Sequence, residues 1–379
     1  MKRKIISAGP TSINEKVLER MVSVSTNPDL DPEYLNFHRE VERKYGKLLN
    51  TDATSFIVLG EAMIILEGSI CSLMDKGDRV LVLSNGVFGA GFADYVDFFG
   101  GSAVLYERDH RHGFNIEELR EFLEKDHDFQ LATMVHCETP TGVTNDIKAI
   151  AAELNKYGIL SIVDSVSAVG GEYIDFDDFG VDLILGGSQK AISAPTGLSM
   201  VTISDRAKEK IKNRKTKVPS YYMNFENYYN YSDPTFAFPY TMNEHLTYAL
   251  DQALNLVLEK DFVALHKRYA DITRKTVVDC GFELYAKDHH SNTLTAVVLP
   301  EDVKAQDLLE KMREKNIEIS KGAGPMAEKL FRIGHMGNNI SYENFDLLFQ
   351  MLDQSFADLG HPLDKSLRQT FNKYYQEIK

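Results

Sequence analysis

ILSIVDSVSAVGGEYIDFDDFGVDLILGGSQK, residues 159–190, decides the fold of this chain. Two mainly apolar runs lie in it, ILSIV (159–163) and VDLILG (181–186). Neither alternates with polar residues, so each reads as a strand covered on both faces rather than one with a wet side. Asp164 stands at the end of the first strand, and Lys190 follows the second by a short turn.

The same alternation extends outward. Upstream, SFIVLG (55–60), RVLVLSNG (79–86), SAVLYE (102–107) and QLATMVHCE (130–138) read as strands. Between them EAMIILEGSICSLMDKG (61–77), FGAGFADYVDFFG (88–100), NIEELREFLEKD (115–126) and NDIKAIAAELNKYG (145–158) read as helices. Strands alternating with helices predict an α/β fold with a mainly parallel sheet covered by helices. Residues 1–20 read as an arm with a helix break at Gly9-Pro10 and a short helix after it. After residue 255 the pattern changes to a long helix (263–281), TLTAVVLP (293–300), another helix (307–315), NIEIS (316–320) and two closing helices. The expected division is an arm (1–20), a large domain (21–255) and a smaller α+β domain (256–379), since 379 residues exceed what one core usually serves.

The formal net charge of −14 argues against nucleic-acid and anionic membrane partners. No stretch has the length of a membrane span, and the basic start MKRK lacks the apolar run of a signal peptide. Three cysteines, Cys71, Cys137 and Cys280, argue for a reducing compartment, so the expected location is the cytoplasm. The histidine pairs His110/His112 and His289/His290 lack the spacing of a zinc site, and no metal is expected. No Gly-x-Ser-x-Gly motif of a serine hydrolase is present.

In open α/β sheets ligands bind at the carboxyl ends of the strands. Five turns converge there: Gly60-Glu61-Ala62-Met63, Asn85 to Gly89, His136 to Gly142, Asp164-Ser165-Val166, and Gly187-Ser188-Gln189-Lys190. A carboxylate at the mouth of a buried strand needs a cation or donors, and a protonated pyridine nitrogen is such a cation. Asp164 taken alone reads equally as the cap of a following helix. A lone lysine is usually a solvated loop residue. Lys190 has different company, with Asp164 on a neighbouring strand, and a desolvated lysine has the lowered pKa a Schiff base needs. The start of the helix after residue 60 offers free N–H groups to a phosphate, and Gln189 offers an amide. It is also an ordinary strand-to-helix turn. Glu61 stands in it where a neutral residue would suit a dianion better. Phe88 is placed to stack on an aromatic ring, or to serve as one more core phenylalanine.

Together these motifs resemble class V pyridoxal 5′-phosphate (PLP)-dependent aminotransferases of the alanine–glyoxylate and serine–pyruvate type. The resemblance is most specific over VDSVSAVGG (163–171) and VDLILGGSQKAISAPTGLSMVTISDRAKEKI (181–211), and it extends to the Gly9-Pro10 arm, NGVFG, HCETPTG, KTKVPSYY and FRIGHMGNN. It implies fold type I of the PLP-dependent transferases, PLP as cofactor, a homodimer, and amino-acid and 2-oxo-acid substrates. By the same resemblance Lys190 is the Schiff-base lysine and Asp164 the partner of the pyridinium nitrogen. Val166 and Phe88 cover the ring, and Thr139 lies near its hydroxyl. Glu61, Ala62, Met63 and Gln189 surround the phosphate, Thr241 reaches the phosphate of the partner subunit, and Gly9 and Arg332 meet the substrate. Three positions depart from the family: Glu61-Ala62-Met63 replaces Ser-Gly-His or Thr-Gly-Thr, Phe88 stands where some relatives have tryptophan, and Phe238 where a tyrosine would contact phosphate. The expected activity is transamination of a small 2-amino acid with glyoxylate or pyruvate. A 2-aminoethylphosphonate-type aminotransferase shares the motifs. A cysteine-dependent lyase would need a late cysteine that this chain lacks, and a non-catalytic subunit would have no use for Lys190, Asp164 and Arg332.

Overall fold

Alternating apolar strands and amphipathic helices assemble as those patterns require. The structure is a computed structural model that describes residues 3–23, 25–231 and 239–377; Phe238 lies outside them. The central sheet has seven strands: β1 (Thr54–Leu59), β2 (Arg79–Ser84), β3 (Ser102–Glu107), β4 (Leu131–Val135), β5 (Leu160–Asp164), β6 (Leu183–Gly187) and β7 (Leu198–Ile203). Their order is β1-β7-β6-β5-β4-β2-β3. β6, β5, β4, β2 and β3 are parallel neighbours, and β7 lies antiparallel between β1 and β6. Every residue of β4, β5, β6 and β7 is buried, which is why these strands carry continuous apolar runs.

Two details differ from the expectation. β7, LSMVTI, is a strand the sequence reading does not name, and it makes the sheet mixed. The single strand expected over 130–138 stops at Val135. Cys137–Glu138 instead pairs with Val143–Thr144, because Gly142, at φ +74°, turns the chain back and its N–H donates to Glu138 O at 2.8 Å.

Apolar side chains gather in two main cores. One surrounds the seven-stranded sheet and includes the helix Glu244–Leu258 through Tyr248, Leu250 and Leu254. The other holds Tyr269, Val297, Leu308, Phe331, Phe345, Phe349 and Phe371 around a three-stranded antiparallel sheet. That sheet comprises β8 (Leu294–Val298), β9 (Ser320–Lys321) and β10 (Leu330–Gly334), with β10 in the middle. The N-terminal segment touches both cores. Lys4–Ile5 pairs in parallel with Ile317–Glu318 and Ile6 enters the second core, while Ala8 enters the first. No described helix is long and apolar enough to cross a membrane.

Candidate active site

The turns that follow β1, β2, β4, β5 and β6 meet at one sheet edge around a cavity of about 260 Å³. Asp164 and Lys190 both line it. Asp164 ends β5 with its carboxylate buried and accepts a hydrogen bond from Val166 N–H at 2.9 Å. Burial pushes its pKa up to about 6, and the Lys190 charge only partly offsets this. A carboxylate so placed gains from any cation brought beside it. Lys190 is held low in pKa first by burial and then by the Arg332 charge, with Asp164 acting the other way. Its amine donates to Ala8 O at 3.1 Å, so the N-terminal arm forms part of the site. Gly9 lies against the lysine at φ +99°, where a Cβ would collide with the Lys190 side chain.

Ala62, Met63, Glu61, Phe88, Thr139, Val166 and Gln189 line the same cavity. Val166 is buried and Phe88 half-buried. The Thr139 hydroxyl is hydrogen-bonded to Ser167 Oγ. The helix Met63–Leu73 begins at the cavity with no side chain capping its N-terminus. Gln189 is buried, and its Oε1 has no hydrogen-bond partner among the described residues. Arg332, on β10, points Nη1 at Thr139 O (2.8 Å) and Nε at Lys321 O (2.7 Å), and burial lowers its pKa to about 10. It forms no ion pair with a described carboxylate and does not itself line the cavity, but its charge acts on Lys190. Thr241 stands elsewhere, exposed and hydrogen-bonded to Asp29 Oδ2 at 2.6 Å. A larger open cleft of about 670 Å³, lined by Lys212, Arg214 and Lys215, contains none of these groups.

Sequence reasoning passed over Glu138. Its carboxylate is fully buried and accepts from Gly89 N–H at 2.7 Å and Phe88 N–H at 3.3 Å. It fills the space where a Cβ of Gly86 would stand, which explains that glycine. It therefore fixes the turn that carries Phe88. Burial raises its pKa to about 7, and Asp164 adds a small push the same way. The available signal was a charged residue in a run otherwise apolar or small, HCETPTG.

These residues fit a pyridine ring bearing an aldehyde. Such a group supplies, when bound, a carbonyl carbon that captures amines and a ring that withdraws electrons. Lys190 would hold the carbonyl carbon, Asp164 the ring nitrogen's proton, and Val166 and Phe88 the ring. Gly187 leaves room beside them, since a Cβ there would lie 3.0 Å from Gln189 Oε1 and from Val166 Cγ1. The end beside Ala62 and Met63 fits a phosphate less well, because Glu61 lines it.

The chain matches the family model for aminotransferase class-V over residues 5–336. It is 34% identical over 342 residues to an uncharacterized aminotransferase of Methanocaldococcus jannaschii, covering 89% of this chain and 88% of that one. It is 31% identical over 313 residues to the alanine–glyoxylate aminotransferase of Oryctolagus cuniculus, covering 80% of each. The crystal structure of pyridoxamine–pyruvate aminotransferase from Mesorhizobium loti shares the fold with a TM-score of 0.95 at 26% identity, over 100% of this chain and 98% of that one. A lysine and a carboxylate at neighbouring strand ends, in a chain matched over most of its length, make this protein a member of the class V aminotransferases, a family of PLP-dependent enzymes.

Proposed function

We propose that this chain moves the amino group of a small 2-amino acid, of the alanine or serine type, onto a 2-oxo acid such as glyoxylate or pyruvate. The observation that carries the reading is the shared cavity of Lys190 and Asp164, with the Arg332 charge close enough to act on Lys190. PLP is the family's cofactor, and this reading assigns Lys190 to its carbonyl carbon. The lysine amine then moves a proton at the substrate's α-carbon, for which a pKa lowered by burial suits it. Asp164 keeps a proton on the ring nitrogen. Arg332 orients the substrate carboxylate with the guanidinium edge its two backbone bonds leave over, and Gly9 keeps the arm close to the lysine. Glyoxylate stands in the name of the rabbit relative and pyruvate in that of the Mesorhizobium enzyme, which supports a small 2-oxo acid as acceptor.

The reading includes a homodimer in which Thr241 serves the partner's site. It includes a cytoplasmic location, supported by the free thiols Cys71, Cys137 and Cys280. It also divides the chain near residue 255, supported by the two apolar cores. A screen of single amino acids, each with glyoxylate or pyruvate, tests it. Formation of the matching 2-oxo acid and amino acid is the expected outcome. Release of sulfide, or turnover of 2-aminoethylphosphonate alone, would replace the reading.

A further inference from the structure

We propose that Glu61 makes this site select pyridoxal vitamers that lack the 5′-phosphate, so that free pyridoxamine and pyridoxal pass through it as substrate and product. The proposal rests on the reading of Lys190 and Asp164 as the anchors of a pyridine ring, and concerns what lies at the ring's other end.

The chain leaves β1 at Leu59, turns at Gly60 (φ +130°) and enters the helix Met63–Leu73 through Glu61 and Ala62. A helix start of this kind attracts anions through about half a positive charge. Here a full carboxylate stands in front of it. Glu61 lines the cavity together with Lys190 and is exposed. Its carboxylate has no hydrogen bond or ion pair with a described residue. Its charge reaches inward, acting on Lys190 and, with Asp164, on Tyr95. The other polar groups at this end are neutral: Gln189, with its buried unpartnered Oε1, and Thr196. Lys190 is the one lysine or arginine among the residues lining the cavity, and its amine serves the carbonyl carbon.

A phosphate monoester brings a charge of roughly −1.5 to −2 at neutral pH. Beside Glu61 that charge is repelled, and half a charge from the helix start does not offset it. A hydroxymethyl group satisfies the same atoms. Its O–H donates to the Glu61 carboxylate, and its oxygen accepts from the helix N–H groups or from the Gln189 amide. Without the charged phosphate the ring is held, apart from Lys190 and Asp164, by neutral packing and single hydrogen bonds, so it leaves once the bond to Lys190 is released.

The reaction then balances with no further reagent. Pyridoxamine and a 2-oxo acid give pyridoxal and a 2-amino acid. The C4′–N bond of the vitamer is exchanged for C4′=O, and the C=O of the acid is exchanged for Cα–N and Cα–H. The two electrons lost at C4′ are those gained at Cα, and Lys190 carries the proton between the two carbons.

The test uses the full-length protein freed of vitamer, titrated with pyridoxal or PLP by absorbance, then reduced with borohydride and mapped by mass. Pyridoxal is expected on Lys190 with a Kd at least about tenfold below that of PLP. Glu61→Gln is expected to weaken pyridoxal, tighten PLP and shift their ratio by about tenfold or more. Because Glu61 is exposed, this variant keeps the fold. With pyridoxamine and pyruvate, free pyridoxal is expected in solution in step with alanine. PLP binding tighter than pyridoxal in the unaltered chain, or a ratio unmoved by Glu61→Gln, overturns the proposal and leaves the proposed function standing. Capture of neither vitamer on Lys190 overturns both.

Discussion

Lys190 and Asp164 show how burial prepares side chains for chemistry. The same desolvation lowers the lysine pKa and raises that of the aspartate, so each is driven toward the neutral form until a ligand brings the complementary charge. Lys190→Ala is expected to abolish borohydride-stable labelling of the protein; label on another lysine would disprove the assignment. Asp164→Asn removes the charge while keeping the shape, and amino transfer is expected to fall by roughly a hundredfold with an unchanged circular-dichroism spectrum. Near-normal turnover would reduce Asp164 to a turn residue bonded to Val166 N–H. Glu138 gives a prediction about stability. Its pKa rises from the ordinary carboxylate value to about 7 in the folded protein, so the folded state holds a proton the unfolded state has released. The stability it contributes is therefore full below about pH 4.5 and lost as the pH climbs through 7. Glu138→Gln escapes that loss. Between pH 4.5 and pH 8 the variant is expected to gain about 3 kcal/mol on the unaltered chain in urea unfolding. A difference that does not change with pH would mean that Glu138 titrates normally.

Elements, not residues, bring the chemistry together. β5 and β6 are adjacent and parallel, so their carboxyl ends deliver Asp164 and the turn to Lys190 to one edge. β10 delivers Arg332 from the other sheet, and its Nη1 bond to Thr139 O ties that sheet to the turn after β4. Because both carbonyl bonds use Nε and Nη1, the guanidinium keeps donors for a carboxylate, which an ammonium on a straight stem cannot match. Arg332→Lys is expected to raise KM for amino and oxo acid alike by about tenfold or more, with a smaller change in kcat. The two abandoned carbonyls are expected to cost about 1–2 kcal/mol in unfolding experiments. A large stability loss with unchanged KM for both substrates would make Arg332 a structural tie.

The whole molecule leaves large apolar and aromatic groups in water, Met63 of them lining the cavity. Met63 and Val87, at the start of two helices that reach the sheet edge, are both more than two-fifths exposed, and Tyr221 and Tyr222 more than half. Thr241 stands exposed on the surface rather than in the cavity of its own chain. The proposed homodimer would cover Met63 and Val87 and carry Thr241 to the partner's site. Sedimentation at micromolar concentration is expected to give twice the 42.8 kDa chain mass, and Lys190→Ala mixed with Thr241→Ala is expected to regain activity that neither has alone. A monomer with full activity would exclude the shared site. Much of this organisation is written locally in the chain. Continuous apolar runs mark buried strands, glycines mark the turns after them, and the residues at each strand's end must lie at the sheet edge, so the position of Asp164 and Lys190 at one edge is legible from order, while their roles come from the family resemblance. β7 is not, because its place between β1 and β6 depends on pairing with β1, far from it in sequence. Nor are the contacts that finish the site: Ala8 O on Lys190 spans 182 positions, Arg332 on Thr139 spans 193, and Glu138 reaches back 49 to Gly89. Burial periodicity is a property of neighbouring residues and can be read from them. The partner of a buried polar atom is chosen by whichever distant segment packs against it, and only the tertiary structure decides that.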